Sequence, residues 1–198
     1  MENKKQIYII EHLEPKLFDW CLFEYENISR IVGKKNLWFT NIKDKKEAEK
    51  LKKFGKVFLE SVHEIKMEDA CVLDPEANEL LNPKEALKFK YFIFGGILGD
   101  YPPKKRTRKE LTKFLKDAIA RNIGKKQMST DNAVLTVFKI AKGERFENLK
   151  FKDKISIKIN EFENVDLPYR YNLIKIGGKE KPFVSDKVID YLKKKKGF

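Results

Sequence analysis

The chain has 198 residues, 41% hydrophobic and 37% charged, and no run of about 18 apolar residues, so it reads as a soluble globular protein without a membrane span. Its formal net charge of +13 points to an anionic partner such as RNA, DNA or a ribonucleoprotein, or to the Lys/Glu-rich surface of a heat-adapted protein. Two cysteines, Cys21 and Cys71, lie far apart among apolar neighbours with no CxxC, which gives neither a disulfide framework nor a zinc site. In chain order, "QIYII" (6–10) predicts a short buried strand. The start of the chain is not a signal peptide, because that apolar stretch meets Glu11 and His12 at once. A cytoplasmic protein is expected.

From residue 17 to 32 apolar positions recur at helical spacing, and Gly33 stands where a helix C-cap belongs. "LWFT" (37–40) predicts a second strand and "DKKEAEKLKKF" (44–54) a charged helix closed by Gly55. "VFLES" (57–61) and "ACVLD" (70–74) are two further strands. "NPKEALKF" has Asn at the cap and Pro in the first helical turn. "YFIF" (91–94) is the most apolar strand and so belongs at the centre. "TRKELTKFLKDA" predicts a helix, "AIARNI" (118–123) a strand, and "STDNAVLTVFKIAKG" a long amphipathic helix ending at Gly143.

Strands and helices thus alternate from residue 6 to about 142, and the strands are continuous apolar runs. That pattern predicts an α/β fold, a mostly parallel sheet with helices on both faces. Residues 149–184 alternate instead and contain Pro168 and Gly177-Gly178, which predicts an extended arm wrapping over the body. "SDKVIDYLKKKKGF" closes the chain as a short helix with a basic end. The organisation expected is one domain over 1–150, with the arm and helix of 151–198 packed on it. Monomer and homodimer both remain open.

In such sheets ligands bind beyond the carboxyl ends of the strands. The loops there read "EHLEP", "DPEAN", "GGILGDYPP" and "GKKQMSTD". "GGILGD" is neither the G-x-G-x-x-G dinucleotide fingerprint nor a Walker loop. It offers bare backbone at Gly95, Gly96 and Gly99, with Ile97 and Leu98 between. Two readings stand: a tight strand-to-helix turn, or a loop that lets backbone approach a flat ligand. Hydrolytic catalysis is unsupported, since the chain has two histidines, His12 and His63, and no G-x-S-x-G. A metal site would need Glu11, Asp74, Asp100 and Asp131 to converge, so none is expected.

"YIIEHLE", "CVLDPEA", "FKYFIFGGILGDYPPKKRT", "GKKQMSTDNAV" and the later "LPYRY" together resemble one branch of the SPOUT, or α/β-knot, methyltransferases. The likeness spans residues 7 to 172. That branch was long described as predicted RNA methyltransferases. Its characterised eukaryotic member is a protein arginine methyltransferase acting on a small-subunit ribosomal protein. The resemblance implies a C-terminal trefoil knot holding S-adenosylmethionine. The pocket would comprise Leu73, Asp74 and Pro75, the loop Gly95, Gly96, Ile97, Leu98 and Gly99, and Ile123, Gly124, Gln127 and Met128. An arginine substrate needs carboxylates to hold its guanidinium, for which Glu11 and Asp100 are the candidates, with His12 behind them. An RNA substrate would lean on Lys104, Lys105, Arg106 and Arg108. The partner implied is a ribosomal protein or subunit, with RNA as alternative. A non-catalytic RNA- or ribosome-binding protein of the same fold is the third reading.

Overall fold

The structure, a computed structural model, describes residues 5–195. β1 (Ile7–His12), β2 (Leu37–Thr40), β3 (Lys56–Val57), β4 (Ala70–Leu73), β5 (Tyr91–Gly96) and β6 (Ile119–Arg121) form one sheet in the order β3-β2-β1-β5-β4-β6. Every neighbouring pair in it is parallel. The chain builds outward from β1 to β3, crosses to β4, and then inserts β5 between β1 and β4. The most apolar strand therefore lies inside the sheet between β1 and β4, with Phe92, Ile93 and Phe94 buried.

Six α-helices connect and flank the strands: α1 (Asp19–Val32), α2 (Lys45–Lys52), α3 (Pro83–Ala86), α4 (Arg106–Glu110), α5 (Thr130–Ala141) and α6 (Asp186–Lys195). Asp44 caps α2 by accepting from the backbone of Lys46 and Glu47, and Asn82 caps α3 through Glu85. Successive strand side chains point to opposite faces, so each apolar run feeds two cores. On one face Tyr8, Ile10, Cys71, Phe92 and Phe94 meet Ile28 of α1 and Val134, Val137 and Ile140 of α5. On the other, Ile7, Ile9, Val72 and Ile93 meet Val62, Leu111 and Leu115. The second face is covered by single turns rather than long helices. The helix expected from residue 107 stops at Glu110, where Leu111 leaves helical backbone (φ −129°), and a 3-10 turn follows. β3 is also shorter than its sequence suggests. After Val57 the chain leaves the sheet and hydrogen-bonds beyond β2, Glu60 accepting from the Asn41 backbone.

The C-terminal segment is a sheet of its own and not a wrapping strap. β7 (Phe151–Lys158), β8 (Asn164–Ile176) and β9 (Lys179–Pro182) pair antiparallel in the order β7-β8-β9. Gly177 and Gly178, at φ 58° and 79°, make the two-residue turn that folds β9 back. Ile155, Leu167 and Tyr171 pack with Val188 and Leu192 of α6 against Trp20 and Phe23 of α1. The final residues 196–198 of the basic end lie outside the described residues.

A buried polar network joins α1, α5 and β8. Glu24 accepts from Trp20 Nε1 (2.8 Å) and from the Thr130 backbone (3.0 Å). Asp131 accepts from Asn27 Nδ2 (2.9 Å) and Ser129 Oγ (2.6 Å). Asn132 Oδ1 accepts from the Asn172 backbone (2.8 Å), and Asn172 Nδ2 donates to Thr136 Oγ1 (3.0 Å). Burial and the neighbouring Asp131 push the Glu24 carboxyl up to about 8, and burial raises Asp131 as well.

A raised carboxyl pKa means that the native state keeps a proton the unfolded chain has lost. That stabilisation is complete below the unfolded value of 4.5 and is lost as pH rises toward about 8. Glu24→Gln removes the titration and keeps the shape. Denaturant melts between about pH 5 and pH 8 should show the variant losing less stability than wild type. Equal losses in the two proteins would show that Glu24 titrates normally.

Candidate active site

The loops after β4, β5 and β6 close around one cleft of about 650 Å³ at the carboxyl ends of those strands. That volume suits a small organic ligand. Leu73, Phe94, Ile97, Leu98, Ile123 and Met128 make its wall largely apolar. Asp74, Pro75, Gly95, Gly99, Gly124 and Gln127 also border it, together with Asp100 and the basic residues Lys104, Lys105, Arg106 and Arg108.

The sequence gives one reason for the three bare positions in "GGILGD"; the structure gives three. Gly95 borders the cleft. Gly96 does not, and the expectation that it makes room for ligand is corrected. A Cβ there would lie 2.2 Å from the Tyr25 hydroxyl and 2.9 Å from Ile10. Gly96 is bare so that Tyr25 of α1 can seat beneath β5. A Cβ on Gly99 would stand 2.4 Å from Gln127 Nε2 and 2.5 Å from the Tyr169 ring. Its carbonyl accepts from the Tyr169 hydroxyl (2.8 Å), so Gly99 lets the β5 loop meet β8.

Each wall is fixed by a side chain or backbone bond from a neighbour. Asp74 is buried and accepts from the Glu76 backbone and from Arg108 Nε, both at 2.8 Å. Glu14 accepts from the Leu98 backbone (2.9 Å) and from Arg106 Nη1 (2.7 Å). The Arg170 backbone donates to the Gln127 carbonyl (2.8 Å), which ties the loop after β6 to β8. The four cations of residues 104–108 all face carboxylates. Lys104 pairs with Asp100 (2.8 Å), Lys105 with Glu76 (3.2 Å), Arg106 with Glu14 and Glu110, and Arg108 with Asp74.

Glu11 and His12 lie off the cleft, which corrects the positional argument for them. A carboxylate on the last turns of a strand points to a sheet face and not past the strand's end. Glu11 is buried, accepting from Thr40 Oγ1 (2.5 Å), the Val62 backbone (2.9 Å) and Ser61 Oγ. His12 Nδ1 bonds the Tyr25 hydroxyl (2.9 Å), and burial pushes its pKa down, so the ring is held neutral in the core. Glu14, beyond the strand end, reaches the cleft loop instead. Glu14, Glu76 and Tyr169 are site residues that sequence reasoning missed. The first two stood in view in the strand-end loops "EHLEP" and "DPEAN". Among the described residues no His/Cys/Asp/Glu group could hold a metal ion.

A parallel sheet in this order, with one cleft at the carboxyl ends of β4, β5 and β6, is a fold found in other solved structures. Trm10 of Thermococcus kodakaraensis shares it, at 19% identity and a TM-score of 0.56 over 72% of this chain and 95% of that one. The chain belongs to the family described as protein arginine N-methyltransferase SFM1-like, which matches residues 7–197. It is 37% identical to the protein arginine N-methyltransferase SFM1 of Saccharomyces cerevisiae over 94% of each chain. The crystal structure of the yeast arginine methyltransferase SFM1 complexed with SAM superposes with a TM-score of 0.86, at 36% identity over 96% of this chain and 91% of that one.

Gly96→Ala should destabilise the fold by about 1–3 kcal/mol, the usual cost of overpacking a core, because the new methyl would press on Tyr25. A thermal melt would register this as a lowered midpoint, and Tyr25→Phe in the same background should recover part of it. An unchanged midpoint would mean that Tyr25 moves aside freely.

Proposed function

We propose that this chain transfers the methyl group of S-adenosylmethionine to an arginine of a small-subunit ribosomal protein. The relative from Saccharomyces cerevisiae has crystal structures complexed with SAM, SAH and MTA. The residues of this cleft fit such a ligand. Its volume and apolar wall accommodate an adenosine and a methionine chain, and backbone at Gly95 is open to an approaching ring. Leu73, Asp74 and Pro75, Gly95, Ile97, Leu98 and Gly99, and Ile123, Gly124, Gln127 and Met128 would hold it. When bound, the cofactor supplies a methyl group already activated on a sulfonium.

The observation that carries the arginine reading is the ring of carboxylates around the cleft, each facing a cation. A guanidinium is protonated at any working pH, so it needs carboxylates to hold it, turn one nitrogen toward the methyl and relieve it of a proton. Asp100 is the residue placed to do so. Its partner Lys104 is 69% exposed, and such an exposed pair contributes only about 0–1 kcal/mol. An incoming guanidinium, which can bind both carboxylate oxygens at once, displaces it. Asp74 is different, being fully enclosed and braced by backbone. It shapes the cofactor side.

The same pairing counts against RNA as the substrate. Lys104, Lys105, Arg106 and Arg108 each face a carboxylate. Positive charge at the cleft is left to Lys125, bonded to the Ala77 carbonyl, and Lys126, which shares Asp153 with Arg170. The net charge of +13 suits a protein that works beside ribosomal RNA while its cleft selects a cationic side chain. Such a substrate is met in the cytoplasm. Among the described residues no helix is long and apolar enough to cross a membrane.

Small ribosomal subunits incubated with the protein and methyl-labelled cofactor should carry label in the protein fraction, as methylarginine. Asp100→Asn should lower turnover by about 10²–10⁴-fold, the range for a positioned acid–base group, with cofactor affinity little changed by calorimetry. Label in RNA alone would overturn the protein assignment. A normal rate in the variant would remove Asp100 from the chemistry.

A further inference from the structure

β7 and β8 are joined by a tip at residues 159–163. Phe162 on this tip is 97% exposed, the most exposed large apolar side chain among the described residues. Leaving a Phe in water forgoes the gain of burying it. The turn nonetheless holds it out. The Ile159 backbone donates to the Glu163 carbonyl (2.9 Å), and Asn160 Oδ1 accepts from the Phe162 backbone (2.8 Å).

Tyr101, on the cleft loop after β5, is the next most exposed at 78%. The two belong to one side of the molecule. β8 touches the cleft loop at Tyr169, whose hydroxyl donates to Gly99, and then leads back to the tip. At the base of the tip Lys154 pairs with Asp166 (2.8 Å). From Asp166 to Phe162 the strand spans about 13 Å, four residues at ~3.3 Å each.

The charge of this tip opposes that of the chain. The tip itself, residues 159–163, carries Glu161 and Glu163 and no lysine or arginine, in a protein of net charge +13, while Asp166 at its base is paired with Lys154 and Lys158 flanks it. Nucleic acid and anionic lipid are repelled there. A basic polypeptide, repelled by most of the surface, is attracted there. Aromatic faces beside carboxylates suit arginine side chains in particular, which stack on rings and pair with carboxylates together.

We infer that the β7–β8 tip, with Phe162, Glu161 and Glu163, and Tyr101 on the cleft rim form a docking surface for a basic, arginine-bearing segment of the protein substrate, a few residues away from the arginine that enters the cleft. The inference rests on the protein arginine methyltransferase reading above. It adds a determinant of substrate affinity separate from the chemistry.

The test is the full chain carrying F162S, E161Q and E163Q together, changes confined to exposed turn positions. The probe is a fluorescent arginine–glycine repeat peptide, with binding read by anisotropy at low salt. The expected result is at least a tenfold weaker peptide affinity with cofactor affinity and melting midpoint unchanged. With small-subunit ribosomal protein as acceptor, KM should rise and kcat should hold. Undiminished peptide affinity would overturn the docking surface. So would a variant that loses poly-uridylate binding while keeping the peptide. If the variant loses the peptide but even wild type labels no protein, the docking surface stands and the methyl-acceptor assignment falls.

Discussion

One buried carboxyl group on α1 ties two of the three cleft loops, those after β5 and β6, to the C-terminal sheet. Glu24 accepts from the Thr130 backbone and so fixes the first turn of α5. The loop that enters α5 carries Gln127 and Met128 into the cleft, and its backbone is taken in turn by Arg170 of β8. β8 then holds the β5 loop through Tyr169 and Gly99, and holds α5 through Asn172 and Asn132. Burying a carboxyl is costly unless its oxygens are bonded. Here the indole of Trp20 and a backbone amide meet that need, and burial keeps the group protonated far above its ordinary range. The same requirement explains why the C-terminal sheet is part of the site. Without β8 the β5 loop and the loop after β6 would each lose a partner.

Much of this was legible in the sequence, and what was not has a common cause. The succession of strands and helices and the Asn82 cap follow from local patterns, while the three loops of the cleft were named from the family resemblance. Gly96 could not be read, because its reason lies in Tyr25, far away in the chain. Glu11 was misread for a different reason. Its position at a strand end was right, but its side-chain direction depends on which face Thr40, Ser61 and Val62 occupy. Glu14 went unremarked because nothing local marks a carboxylate that will cap a loop 84 residues on. The alternation in residues 149–184 was visible, yet alternation alone does not say whether strands pair with one another or with the main sheet.

The fold alone does not choose the substrate, since a single fold hosts unrelated activities through different sites. In this chain the choice is made by how the cations near the cleft are used. A run reading "PPKKRTR" looks in sequence like a phosphate-binding patch. In the structure each of its cations neutralises a carboxylate, so the run contributes little free positive field at the cleft. Local charge, and not the +13 total, decides what approaches.

The pairs also differ in how readily they give way, and this divides the cleft into two functional sides. Asp74 is fully enclosed and bonded by backbone and by Arg108. Its partner Arg108 is 45% exposed, and without it the buried carboxylate would keep only the Glu76 backbone bond, so losing that partner is costly. Asp100 keeps a quarter of its side-chain surface in water and holds only an exposed lysine, a bond of about 0–1 kcal/mol. Exchange of that lysine for a substrate guanidinium is close to neutral in pairing and gains a second hydrogen bond. On the proposed reading the site is thus rigid where a cofactor is gripped and exchangeable where a substrate comes and goes, and this follows from burial and from the partner, a guanidinium on Asp74 and a single ammonium on Asp100.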